Sequence, residues 1–91
     1  DHKELLKQTL LSCSKVVEDG SLVLILPSEA RELCLESTLS AEERPELIHF
    51  QWPELERLLL DCNWKYEDAW YVFVHGSLGR VVIYASIVPQ D

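Results

Sequence analysis

Residues 69–89 of this chain read AWYVFVHGSLGRVVIYASIVP, and this stretch decides the fold. Two runs of aromatic and β-branched residues flank a segment that contains Gly76 and Gly79, which is the pattern of a β-hairpin. The length of the turn does not fix the register of the two strands. In either register, however, both faces of the hairpin carry large apolar side chains, because side chains alternate along each strand. The second face therefore needs a cover.

Two arrangements would supply that cover. Helices could pack on both sides of the hairpin and form a closed sandwich. Alternatively, the helices cover one face, and the aromatic face or the edge strand binds another protein, since large exposed apolar patches and their Trp and Tyr residues mark interaction sites. The residues predicted to bind a partner are Trp70, Tyr71, Phe73, Tyr84 and Val88, with Trp52 and Trp64 as satellites.

The segment before residue 20 carries an apolar stripe at helical spacing, which predicts a first helix. The members of that stripe are Leu6, Leu10, Cys13 and Val17. Asp19 and Gly20 follow, and they permit two interpretations. Gly20 could end the helix in a left-handed conformation, or the pair could form the turn of a hairpin in KVVEDGSLVLIL.

Residues 21–26, SLVLIL, show no polar alternation, which predicts a strand that is buried on both faces or lies in the centre of a sheet. Pro27 stops this strand, and the spacing of Ala30, Leu33, Cys34 and Ser37 predicts a second helix after it. A short strand is predicted over residues 47–51.

A third helix is predicted to begin at Pro53, and its apolar stripe comprises Leu55, Leu58, Leu59 and Cys62. The resulting fold class is α+β, a small mixed sheet of three or four strands with a C-terminal β-hairpin and three helices packed on it. The length of 91 residues suits a single domain over residues 1–91. We expect this domain to be part of a longer protein, since the chain starts at Asp1 and contains no methionine.

The chain is acidic, with a formal net charge of −8 that is concentrated in residues 28–68. Its Lys and Arg residues are scattered singly, so the sequence predicts neither nucleic-acid nor membrane binding. No apolar run approaches the length of about 20 residues that a membrane-spanning helix needs. The acidic segment favours a protein partner with a basic surface.

Three cysteines, Cys13, Cys34 and Cys62, are too widely spaced to form a structural metal site. They are typical of buried thiols in a reducing compartment, which predicts a cytoplasmic or nuclear location. We expect no metal and no cofactor.

Enzyme chemistry has weak support in the sequence. The HGSLG segment at residues 75–79 lies between two strands, whereas a phosphate loop or a nucleophile elbow leads into a helix. Cys62 with His75 is the one candidate nucleophile and base. Glu67 and Asp68 are adjacent, so on a regular strand they point to opposite faces and cannot act on one substrate.

The function predicted from the sequence is a non-catalytic protein–protein interaction domain or a small subunit of an intracellular complex. Its partner would be a protein with a basic surface, or an identical chain that forms a homodimer through an edge strand. The alternative is a small thiol-dependent enzyme, or the accessory subunit of an enzyme, that uses Cys62 and His75.

Overall fold

A computed structural model of the chain describes residues 1–29, 37–38, 44–73 and 79–89. Two helices and four strands occur in these residues, and they confirm the α+β class. In chain order they are α1 (His2–Val16), β1 (Ser21–Ser28), β2 (Ser37–Thr38), α2 (Trp52–Asp61), β3 (Trp64–Phe73) and β4 (Gly79–Ile87).

Helix α1 confirms the first predicted helix. Its N-terminus is capped by Asp1, whose Oδ1 accepts a hydrogen bond from the Glu4 N–H at 2.9 Å. Leu10, on the predicted stripe, is fully buried. The helix ends at Val16, and β1 begins five residues later by pairing with β4. The alternative hairpin about Asp19 and Gly20 is therefore wrong. The expectation that Gly20 ends the helix is wrong as well, because the C-cap is Val17 in an extended conformation.

Helix α2 confirms the third predicted helix and its stripe. The Glu54 carboxylate accepts a hydrogen bond from the Gln51 N–H at 3.4 Å, and Pro53 occupies the first turn, where a missing N–H costs nothing. Leu55 and Leu59 are completely buried, while Leu60, off the stripe, is 57% exposed. After the helix, Asn63 adopts a left-handed conformation with φ of 69°.

Two further predictions have different outcomes. The predicted second helix falls on residues 30–36, which lie outside the described residues, and on Ser37, which belongs to strand β2 instead of a helix. The predicted strand over residues 47–51 reduces to a single antiparallel bridge between Leu47 and Ser28.

The strand order of the sheet is β1-β4-β3-β2, and each of its pairings is antiparallel. The prediction of a mixed sheet is therefore wrong. Three long strands, β1, β4 and β3, form most of the sheet, and the two-residue β2 extends it beyond β3. The central position expected for residues 21–26 is also wrong, because β1 lies at an edge of the described sheet. A continuous apolar run can form an edge strand as well as a central strand, provided that one face of the edge strand stays exposed.

The C-terminal hairpin of β3 and β4 is confirmed. Its register places Tyr71 opposite Val81 and Trp70 opposite Val82. Strand β3 begins at Trp64, five residues before the predicted apolar run. A β-bulge between Tyr66 and Asp68 breaks the alternation of the strand, and this explains why the sequence over residues 64–68 does not resemble one.

Both helices pack on one face of the sheet, which we call the core face. On β4 this face is made of residues that are 9% exposed or less, namely Val81, Ile83, Ala85 and Ile87. They form one cluster with Leu10 of α1, Leu55 and Leu59 of α2, and Trp64 of β3. Trp64 also donates its Nε1–H to the Leu10 carbonyl oxygen at 3.0 Å, which joins α1 to β3. The helices are thus committed to a single side.

Among the described residues, neither helix combines the length and the apolar character that crossing a bilayer requires.

Candidate functional site

The face of the sheet opposite the helices, which we call the outer face, is apolar at its centre. Residues that lie directly opposite one another in antiparallel strands share a face. The register therefore brings Ile25, Val82 and Trp70 into one row across β1, β4 and β3, and Val23 and Tyr84 into the next. None of these five residues belongs to the core cluster.

Several outer-face side chains are exposed to an unusual degree for their type. Val23 is 58% exposed and Ile25 is 60% exposed, and Tyr84 beside them is 36% exposed. Trp70 and Val82 are half-buried. Burying the exposed part of Val23 or Ile25 would contribute about 1 kcal/mol each. Contact with a partner at the outer face would therefore gain hydrophobic free energy that contacts among the described residues leave unused.

Polar groups border the apolar rows of the outer face at both ends, with Arg80 at the N-terminal end of β4 and a larger group at the C-terminal end. The Tyr84 hydroxyl and the Ser21 hydroxyl are 2.6 Å apart, so they form a hydrogen bond. Ser86 donates its Oγ–H to the Glu67 carboxylate at 2.6 Å, and Asp68 lies opposite Tyr84 in the register. Lys65 lies opposite Ser86 on the same face, so two acidic residues and one basic residue border the apolar rows where β4 approaches its C-terminal end.

This arrangement corrects the expectation that Glu67 and Asp68 point to opposite faces. The bulge adds one residue to β3 at Glu67, so the usual alternation is suspended there. Since Ser86 and Tyr84 both lie on the outer face, their neighbours Glu67 and Asp68 lie on it too. The Asp68 carboxylate accepts a hydrogen bond from the Ala69 N–H at 2.8 Å, which fixes its position.

The residues predicted to bind a partner are divided between the two faces. Trp70 and Tyr84 lie together on the outer face. Tyr71 lies on the core face, completely buried, and donates its hydroxyl hydrogen to the Glu29 carbonyl oxygen at 2.8 Å. The backbone of Phe73 pairs with Gly79, and its side chain is outside the described part of the chain. Val88 lies apart from this group.

Val88 follows the last residue of β4 and is half-buried. Its N–H donates to the Asn63 carbonyl oxygen at 2.9 Å. Together with Leu11 and Val17 it lines a cleft between the end of the sheet and the C-terminal part of α1. Val88 therefore lies at the end of the sheet, away from Trp70 and Tyr84.

The two satellite tryptophans, Trp52 and Trp64, pack within the fold and do not lie on the outer face. Trp64 belongs to the core, as described above. Trp52 donates its Nε1–H to the Pro45 carbonyl oxygen at 2.8 Å, and the Arg44 guanidinium lies 4.5 Å from its ring centroid. The same guanidinium lies 5.0 Å from the Tyr66 ring and bonds Glu56 at 2.5 Å. This cluster attaches the segment around Arg44 to α2 and β3.

Sequence reasoning missed Val23, Ile25 and Val82, which form much of the outer face. The signal was present in the uninterrupted apolar run of residues 21–26. A strand with apolar residues at every position has an apolar second face, and that face is exposed when nothing packs on it. The same run also fits a strand that is buried on both faces or lies in the centre of a sheet, which is what the sequence predicts.

The proposed nucleophile Cys62 is fully buried on α2's apolar side, and its Sγ lies 3.8 Å from the Lys7 carbonyl oxygen. Burial raises the pKa of the Cys62 thiol, whereas a nucleophilic cysteine needs a lowered one. His75 lies outside the described residues. Within the described residues, the structure brings together no group of three or more His, Cys, Asp or Glu side chains that could hold a metal ion.

Comparisons with known proteins do not assign the chain to a family. No family model matches it, and neither the curated proteins nor the solved structures include a significant match.

Proposed function

We propose that this chain is a non-catalytic protein–protein interaction domain of an intracellular complex, and that its partner binds the outer face of the sheet. The observation that carries the proposal is the one-sided packing. Both helices lie on the core face, while Val23, Ile25 and Tyr84 remain exposed on the opposite side of the same strands.

The composition of the outer face supports a protein partner. Its rows combine β-branched residues with Trp70 and Tyr84, and Trp and Tyr are the residue types that contribute most to interface hot spots. The strands pair with one another and pack through their core face, which holds the outer-face side chains in fixed positions. Binding would therefore cost little conformational entropy in these side chains.

The net charge supports a partner with a basic surface. The chain has a net charge of −8, whereas on the outer face itself the acidic Glu67 and Asp68 are matched by the basic Lys65 and Arg80, so the attraction comes from the chain as a whole. Such a field would speed the approach of a basic protein and slow that of an acidic one. The proposal includes the cytoplasm or nucleus as location, because Cys13 and Cys62 are free thiols, which suits a reducing compartment.

A site-specific cross-linking experiment tests this proposal. Tyr84 is replaced by a photoreactive benzoylphenylalanine, and the matched control carries the same group at Leu60, which is similarly apolar and 57% exposed but lies on α2. We expect irradiation in a cell extract to join position 84, and not position 60, to a discrete protein. An Ile25→Asp substitution in the same chain should abolish the adduct while leaving the circular dichroism spectrum unchanged.

Two results would contradict the proposal. One is the absence of any adduct at position 84, and the other is the same set of adducts at positions 84 and 60, which would indicate random collisions.

A further inference from the structure

The edge of β1 that faces away from β4 carries a second feature, which concerns backbone groups rather than side chains. Consecutive residues of a strand direct their N–H and C=O groups to alternate sides. The Gly20 carbonyl oxygen accepts a hydrogen bond from Ile87 at 3.1 Å, so the even-numbered residues of this strand face β4. The Pro27 carbonyl oxygen accepts from Ile48 at 3.2 Å on the other side, so the odd-numbered residues face away from β4.

Segment 46–48 occupies only the end of this outward edge. Ile48 of this segment bonds Pro27, as described. The Glu46 carbonyl oxygen accepts a hydrogen bond at 3.0 Å from the N–H of Glu29, the residue after β1. The outward N–H and C=O groups of Ser21, Val23 and Ile25 form no hydrogen bond with other described residues. Strand β1 contains no charged residue, and charged residues are a common means by which edge strands avoid pairing.

We propose that two copies of this chain pair antiparallel through their β1 edges about a twofold axis at Val23. In this register Val23 lies opposite its own copy and Ser21 lies opposite Ile25 of the other copy. Each of these pairs exchanges both of its hydrogen bonds, so about six backbone hydrogen bonds form. All the outward groups of the open edge are then satisfied.

Two features of the strand select this register and this partner. An axis at Leu24 would place Ser21 opposite Pro27, which has no N–H and whose carbonyl oxygen is already bonded to Ile48. The axis at Val23 also sets Leu22 against Leu24 of the second copy on the core face. Both leucines are only partly buried in the single chain, and this contact would complete their burial.

Pairing with a second copy of this chain brings two acidic molecules together. Each chain carries a net charge of −8, so two copies repel one another although the paired edges are uncharged. We therefore expect the dimer to tighten as salt is added, because salt screens the repulsion. A dimer held together by ion pairs would weaken instead.

Sedimentation equilibrium and cysteine cross-linking test the inference. Across a concentration series from low micromolar to millimolar, the mass should rise from 10.5 kDa towards twice that value. Under mild oxidation, Val23→Cys should form a disulfide between copies, since residues in a hydrogen-bonded pair have Cα atoms about 5.5 Å apart. The control Ile25→Cys should not, because its two copies lie about 14 Å apart along the strands.

A proline substitution separates this inference from the proposed function. Val23→Pro removes an outward N–H and leaves the bonds to β4 and an apolar outer-face side chain in place, so it should weaken self-association by about tenfold or more. Cross-linking of a partner at position 84 should survive this change, since it depends on the outer face. A mass of 10.5 kDa at all concentrations, or equal cross-linking at positions 23 and 25, would overturn the inference and leave the proposed function standing. Hydrogen exchange at the Val23 amide gives a further check. If an added peptide slows this exchange but a higher protein concentration does not, the edge binds a different partner and the inference is overturned.

Discussion

Replacing Ile83 or Ile25 by alanine compares the same side chain on the two faces of one sheet. Ile83 is 0% exposed on the core face, and Ile25 is 60% exposed on the outer face. The substitution removes three carbon atoms, and their transfer to water costs about 2.4 kcal/mol if they were fully buried. For Ile83 the cavity left behind adds to this, so the free energy of unfolding should fall by about 3 to 4 kcal/mol.

For Ile25 the expected loss is about 1 kcal/mol, because most of the side chain already contacts water and no cavity forms. In thermal unfolding followed by circular dichroism, Ile25→Ala should lower the midpoint by about 4 to 8 °C and Ile83→Ala by at least about 12 °C. Urea unfolding at low protein concentration gives the free energies directly.

If Ile83→Ala leaves too little folded protein to measure, substitutions of the same two residues by valine replace those by alanine. Ile83→Val should cost about 1 kcal/mol and Ile25→Val almost nothing. Equal losses at the two positions would refute the reasoning, because they would mean that the outer face is packed within the folded monomer.

Three further predictions concern other parts of the molecule. Gly79→Ala should lower the free energy of unfolding by about 1 to 3 kcal/mol in urea titrations, because a Cβ at this position would overlap the Tyr71 ring; an unchanged midpoint would contradict the packing of that ring. Cys62 should react with iodoacetamide more slowly than the half-buried Cys13, as peptide mass spectrometry can show, and a faster reaction at Cys62 would revive the thiol-enzyme alternative. Burial raises the pKa of Tyr66 above its usual value of about 10, so the native state holds this proton more tightly than the unfolded chain. Stability from this group should be complete below pH 10 and be lost as the pH rises through the raised pKa, and Tyr66→Phe should remove this part of the alkaline decline in urea titrations.

The helices were predictable because their signals are local. The stripes that contain Leu10 in α1 and Leu55 in α2 repeat over several turns, and Pro53 marks the start of α2. The hairpin was predictable for the same reason, since its two apolar runs are separated by a few residues. These elements required no knowledge of what lies across the sheet.

The position of β1 and the composition of the outer face were not predictable, because they depend on contacts between distant segments. Nothing in residues 21–26 states whether they pair on one side or on two, and the alternation that would reveal an exposed face is absent. Tyr71 illustrates the same limit. It is one residue from Trp70 and of similar chemistry, and only the register against Val81 places it in the core.

The bulge in β3 has a consequence for chain length. Glu67 is an extra residue opposite the step from Ala85 to Tyr84. Because of this extra residue, the inward-facing side chains are even-numbered in residues 64–66 and odd-numbered in residues 69–71. Deleting Glu67 would give an unbroken ladder with Trp64, Tyr66 and Ala69 still turned inward, whereas deleting one residue between Ala69 and Phe73 would turn one part of the strand inside out. A homologue shorter by a single position is therefore expected to carry its gap at Glu67.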